Sequence, residues 1–281
     1  MTGGIFDGTK LVLQFRQTTD KNSTSDEIGI FLRSVLRENG IDWKCIKDIC
    51  CCSVVPPINY SLSSALLKYF GCEPLFIQSG IRTGLKLKYA NPKEIGADRI
   101  AAAIGASTRH PGTNLIVVDM GTATTIDVVT KDKEYLGGAI LAGLKISVQA
   151  LASGTSKLPT VEIVKANKVC GQSTIEAIQS GIYFGNAGAI KEFLHLYEKQ
   201  IFGGEKPYIV GTGGALTRLP HRGDLMKQIA KHNETGMMLY PSEHAKILVD
   251  NDYIMASLGV LSKRYRDAAI KLMEKSLDYK F

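Results

Sequence analysis

The chain has 281 residues, enough for one large domain or two of moderate size, with the 44% hydrophobic and 22% charged content of an ordinary globular protein. No apolar run approaches the ~20 residues of a membrane span, and Met-Thr-Gly-Gly-Ile-Phe-Asp has no charged-then-apolar signal layout, so a cytoplasmic location is expected. The net charge of +7 suits an anionic small molecule; basic residues are scattered and aromatics few, so neither a nucleic-acid stripe nor a membrane partner is read.

Taken in order, Ile5-Phe6-Asp7-Gly8-Thr9-Lys10 and Leu11–Arg16 predict a hairpin with an Asp-Gly turn. Thr24 to Glu27 is a capping box, followed at helical spacing by Ile28, Phe31, Leu32, Val35 and Leu36, with Gly40 as the stop. Ile46 to Val55 predicts a strand ended by Pro56-Pro57, Tyr60 to Phe70 a short helix, and Pro74 to Gln78 a short strand. Gly84 to Pro92 reads as a loop or extended arm, and Ile100 to Ser107 as an Ala-rich helix. Pro111 to Asn114 is a turn cluster and marks a domain boundary. The expected domains are therefore 1–112 and 113–281, the second carrying a helical tail.

The second half opens on the stretch that carries chemistry. Leu115 to Val118 reads as a buried strand ending at Asp119-Met-Gly121-Thr122-Ala-Thr124-Thr125, and Thr125 to Thr130 as the returning strand. Such a bend can handle phosphate. Gly121 lets a backbone N–H approach an anion, and Thr122, Thr124 and Thr125 can donate hydroxyls. Asp119 can hold a cation that neutralises the phosphates. The motif Asp-x-Gly-Thr alone is equally compatible with an ordinary buried hairpin; the run of hydroxyls tips the balance.

A third strand follows around Tyr135 to Ala139, then a helix over Gly143 to Ala152. Ser173 to Glu176 is a second capping box, opening a long helix to about Gln200. Gly181, Gly185 and Gly188 form one small-residue face of that helix, suited to close helix packing. Pro207 to Val210 is a strand ending in Gly211-Thr212-Gly213-Gly214, and Ala245 to Val249 a further strand. Asp250 to Tyr265 is helical in spacing, and Ile270, Met273 and Leu277 suggest one more amphipathic helix.

Cysteines stand at Cys45, Cys50, Cys51, Cys52, Cys72 and Cys170. Neighbours on a strand face opposite ways, so the consecutive three cannot form one tetrahedral metal site and read as small core residues in a reducing compartment. There is neither a P-loop motif nor a Gly-x-Gly-x-x-Gly after a strand.

The hairpin, the late Gly-Thr-Gly-Gly and the repeated strand and helix order resemble the actin, hexokinase and Hsp70-type ATPase superfamily. Within it the chain resembles type III pantothenate kinases. The matching pieces are Ser53-Val-Val-Pro56-Pro57, Arg82-Thr83-Gly84-Leu85, Tyr89-Ala-Asn91-Pro92, Glu94-Ile-Gly96-Ala97-Asp98-Arg99, Asp119 to Thr125, and Tyr135-Leu-Gly137-Gly138. Lys157-Leu158-Pro159, Gly171-Gln172-Ser173-Thr174 and Ile178-Gln179-Ser180-Gly181 extend the match.

The resemblance implies an α/β fold of two similar ribonuclease H-like halves with an interdomain cleft. It implies ATP-dependent phosphorylation of the primary hydroxyl of pantothenate, the first step towards coenzyme A, with ATP, Mg²⁺ and a monovalent cation (K⁺ or NH₄⁺). Asp98 resembles the general base, as an alkanol requires. Gly96, Ala97, Arg99, Tyr89 and Thr174 resemble pantothenate contacts, Arg99 being able to pair with a carboxylate or phosphate. Asp119 matches the monovalent-cation ligand, Gly121 and Thr122 the ATP-phosphate loop, and Gly211, Gly213 and Gly214 the adenosine border. A homodimer with the substrate site at the subunit interface is implied too.

Two departures stand out. The family opens with a strand ending Asp-x-Gly-Asn-Thr, the first phosphate loop; Met1 to Gly8 aligns just after it, so impaired turnover is expected. Leu239 to Gly259 differs from the usual kinase ending and faintly resembles the end of glutamate-mutase-associated proteins of the same superfamily. The alternatives are therefore a catalytically inactive nucleotide-binding regulator or reactivator, and a kinase for another small hydroxylated acid.

Overall fold

The computed structural model describes residues 1–8, 10–214, 247–250 and 277–278. The chain divides into two compact units. Among the described residues, one holds Met1–Gly84 and Ala90–Thr108; the other holds Leu85–Tyr89, 109–214, 247–250 and 277–278.

In the first unit, β1 (Thr2–Asp7) and β2 (Lys10–Arg16) form an antiparallel hairpin whose last pair is Asp7 with Lys10. Gly8 sits at φ +56°, the left-handed conformation that such a tight turn needs. Helix α1 (Ser25–Glu38) starts on a complete capping box: the Thr24 hydroxyl accepts from the Glu27 amide, and the Glu27 carboxylate accepts from the Thr24 amide. Its apolar stripe, Ile28, Leu32 and Leu36, meets Ile58, Ala65, Leu66 and Phe70 of α2 (Pro56–Phe70). Helix α2 begins four residues before the predicted Tyr60. Pro56 and Pro57, read as a strand stop, form its first turn, where a missing N–H costs nothing.

The strand predicted over Ile46 to Val55 shrinks to β3 (Cys50–Cys52). It pairs in parallel with β4 (Leu75–Ile77), whose three residues limit the ladder, and Trp43–Cys45 upstream makes one 3₁₀ turn. Helix α3 (Ala97–Arg109) is buried along most of its length, with Ile100, Ala101 and Ala103 fully inaccessible.

The second unit is built on one sheet. Among the described residues its order is β11-β10-β9-β6-β7-β8-β5. The members are β5 (Lys86–Leu87), β6 (Leu115–Met120), β7 (Ala123–Val129), β8 (Glu134–Ala142), β9 (Tyr208–Thr212), β10 (Ile247–Asp250) and β11 (Leu277–Asp278). Strands β6, β7 and β8 are antiparallel neighbours; β9 runs parallel to β6, and β10 parallel to β9. The predicted arm from Gly84 to Pro92 contributes β5, which pairs in parallel with β8.

Helices α4 (Leu144–Gly154) and α5 (Thr174–Gln200) lie over this sheet. Val148, Ile178, Ile182, Ile190 and Leu194 share a core with Ile116, Val118, Ile126 and Val128. Ser173 caps α5 by accepting from the Glu176 amide, while the Glu176 carboxylate turns to the Gln172 amide. Among the described residues, no helix packs against Gly181, Gly185 and Gly188. They are exposed, with open space above each, so the expected close helix packing is not met by the described part of the chain. Leu277, read as the end of an amphipathic helix, is in β11, held by the ladder to Asp250. Asp250 itself is in β10, and the rest of the two predicted C-terminal helices lies outside the described residues.

Candidate functional site

The bend between β6 and β7 stands where the ends of β6 and β9 meet. In register, Asp119 pairs across β7 with Thr125 and across β9 with Thr212, while Met120 pairs with Thr124. Because side chains alternate with period two, Asp119, Thr125 and Thr212 share one face, and Met120 and Thr124 the other. The second face is core: Met120 and Thr124 are each 1% exposed. The Thr124 hydroxyl is buried with no hydrogen-bond partner among the described residues, so it cannot serve a phosphate. Thr125, half-buried beside Asp119, and the exposed Thr122 keep that capacity. Missed in the sequence was Thr212, which only the parallel register brings to Asp119.

Two further glycines shape the bend. Gly213 has φ +101°, and an added Cβ would collide with Asp119 Oδ1 and the Met120 backbone. The Gly211–Gly214 turn therefore lies directly against the Asp119 carboxylate. Gly143, the N-cap of α4, donates its amide to the Thr122 carbonyl at 3.2 Å, and a Cβ there would strike the same carbonyl. It supports the bend from below. No sequence motif marked it, because its role depends on where β8 delivers the start of α4. Gly121, Thr122, Gly211, Gly213, Gly214 and Asp119 are thus brought together. A carboxylate and two hydroxyls on one face are a hard-oxygen set that fits a cation, and the glycine backbone around it fits a phosphate.

Tyr89 belongs to the same unit. Lys88 donates its amide to the Tyr135 carbonyl at 2.9 Å, extending the β5–β8 pairing to the residue before Tyr89. The half-buried Tyr89 ring lies against Gly137. Thr174, exposed in the first turn of α5, lines a groove of about 750 Å³ with Ser147, Leu151, Ala177, Gly181 and Asn186.

Gly96, Ala97, Asp98 and Arg99 lie in the first unit, at the start of α3. An acid in the first turn is favoured by the helix dipole. Asp98 Oδ1 accepts from the Arg99 amide at 2.8 Å, and a Cβ on Gly96 would stand 2.5 Å from the same oxygen. Gly96 thus leaves room for the carboxylate. The side chain is half-buried, able to meet a solute, whereas Arg99 is only 8% exposed. Cys52 is close enough to feel Asp98: burial first, and the Asp98 charge second, push its thiol up to about 12. Val54 Cγ1 lies 3.8 Å from where a Gly96 Cβ would stand, so the Ser53-Val-Val segment flanks the carboxylate.

Comparison with known proteins supplies the context. A family model described as type III pantothenate kinase matches residues 1–196, and one described as MutL protein matches residues 185–277. The type III pantothenate kinase of Legionella pneumophila (strain Corby) is 54% identical over 212 residues, 75% of this chain and 82% of its own. That of Elusimicrobium minutum is 45% identical over the same shares. Among solved structures, the activator of the 2-hydroxyisocaproyl-CoA dehydratase from Clostridium difficile with bound ADPNP aligns at 14% identity and TM-score 0.48, covering 100% of this chain and 95% of its own.

Proposed function

Because the chain belongs to the type III pantothenate kinase family, we propose that it transfers the γ-phosphoryl of ATP to the primary hydroxyl of pantothenate, a step of coenzyme A biosynthesis. The observation that carries this reading is the 54% identity over 212 residues, a span that takes in both the Asp98 and Asp119 motifs.

In this reading Asp98 accepts the hydroxyl proton as the oxygen attacks phosphorus, and the β–γ bridging oxygen leaves with ADP. Tyr89, Gly96, Ala97, Arg99 and Thr174 hold pantothenate. Gly121 and Thr122 hold the ATP phosphates, and Gly211, Gly213 and Gly214 border the adenosine. Asp119, with Thr125 and Thr212 on its face, would hold a monovalent cation; such a cation, together with Mg²⁺ on the nucleotide, supplies neutralisation of phosphate charge. The proposal includes two ribonuclease H-like halves, 1–112 and 113–281, with a cleft between, and a cytoplasmic location. It also includes a homodimer, supported by the exposed glycine face of α5 beside the Thr174 groove.

A coupled ADP-release assay with and without pantothenate tests the activity. Pantothenate-dependent ADP formation is expected; pantothenate-independent hydrolysis overturns it. A second reading, nucleotide binding without turnover, draws on the MutL protein match over residues 185–277. It predicts nucleotide affinity with no phosphopantothenate formed.

A further inference from the structure

The chemistry above leaves a buried carboxylate unused. Asp127, in the middle of β7, is 2% exposed. Its Oδ1 accepts a hydrogen bond from the Tyr135 hydroxyl at 2.7 Å, and Tyr135 on β8 is fully buried. A carboxylate so placed is costly unless hydrogen-bonded, and so is a buried phenol. Each side chain therefore fixes the other.

The Tyr135 ring in turn meets the ring of Tyr89, with centroids 6.4 Å apart and planes at 48°. On its edge Tyr89 is confined by Gly137: Tyr89 Cε2 stands 2.8 Å from where a Cβ would be. Gly137 has φ +97°, so backbone conformation as well as space demands glycine there. The backbone leading to Tyr89 is pinned to β8 by Lys86 N to Lys133 O at 2.8 Å and Lys88 N to Tyr135 O at 2.9 Å.

We propose that Asp127 and Tyr135 are positioning residues: their buried hydrogen bond locks the Tyr135 ring, and that ring, with Gly137, sets the orientation of the Tyr89 phenol toward substrate. This rests on the reading that Tyr89 contacts pantothenate. A tyrosine has only two side-chain torsions, so one wedged ring suffices to hold a neighbour in a single orientation.

The test uses Tyr135→Phe, which keeps the ring and removes the hydroxyl, and Asp127→Asn, which keeps an acceptor oxygen. Hydrogen exchange of the full chain is measured without ligand, and binding of pantothenate and of a non-hydrolysable ATP analogue by calorimetry. For Tyr135→Phe, exchange over residues 86–91 rises about tenfold while the β1–β2 hairpin is unchanged, and pantothenate affinity falls about tenfold with nucleotide affinity intact. Asp127→Asn stays closer to wild type in both. In a Tyr89→Ala background, Tyr135→Phe costs no further pantothenate affinity, because the effect passes through Tyr89. Unchanged exchange over 86–91, or a loss that persists in that background, overturns the proposal. If the wild type binds no pantothenate while the exchange response holds, positioning of Tyr89 stands and the substrate assignment falls.

Discussion

Asp98 shows how a small local device holds a carboxylate in place. Gly96 clears the space, the Arg99 amide orients one oxygen, and the α3 dipole favours the charge. Replacing Asp98 by Asn keeps that shape and removes the proposed base. A fall in kcat of roughly 10²–10⁴-fold, with KM for pantothenate little changed, is expected in the ADP-release assay. Gly213→Ala acts at the other motif. Its Cβ would meet Asp119 and its φ of +101° disfavours any side chain, so nucleotide binding measured by calorimetry should be lost. The cysteines give a pH prediction. Burial pushes the Cys51 and Cys52 thiols from 9.0 up to about 12. A raised folded pKa stabilises fully below the unfolded value, so this contribution is lost as pH rises from about 9 through about 12, read as a falling denaturation midpoint. At pH 8 the exposed Cys45 and Cys170 should react with a thiol reagent well before Cys51 and Cys52.

Helices α1 and α2 illustrate what a side-chain pattern leaves out. The stripe of Ile28, Leu32 and Leu36 was visible as helical spacing, and so was the capping box. The seating of Tyr69 on Gly29 was not. A Cβ at Gly29 would run into the Tyr69 ring, whose hydroxyl donates to Asp26 at 2.9 Å beside the Lys68–Asp26 ion pair at 2.6 Å. Gly29→Ala, normally favourable within a helix, should here destabilise by about 1–3 kcal/mol in urea unfolding, through overpacking. The sheet teaches the same lesson. Reading Thr122, Thr124 and Thr125 as one cluster of donors ignored strand alternation, which sends Thr124 into the core with Met120.

At the scale of the whole molecule, the glycine face of α5, exposed among the described residues, is where the proposed homodimer can be tested. Among the described residues the space above Gly181, Gly185 and Gly188 is open, so a large side chain there leaves the described fold undisturbed. Gly185→Arg should therefore retain its circular dichroism and thermal midpoint, while sedimentation shifts from the proposed dimer to monomer. Equal sedimentation of both proteins would remove the homodimer from the proposal.

Local motifs were legible in the sequence because their physics is local. A turn glycine, a capping box, an apolar run ending in an acid and a family motif such as Gly-Ala-Asp-Arg each act within a few residues. Composition and pattern therefore pointed to an α/β chain with a bend able to handle phosphate, and the family resemblance added Asp98 as a candidate base. Only the tertiary structure decided which hydroxyls face Asp119, that Gly143 and Thr212 belong to the bend, that Leu85–Tyr89 joins the second unit, and that Asp127 and Tyr135 stand behind Tyr89. Strand register and packing between distant segments set those facts, and a one-residue slip would reverse every face, so no window of sequence contains them.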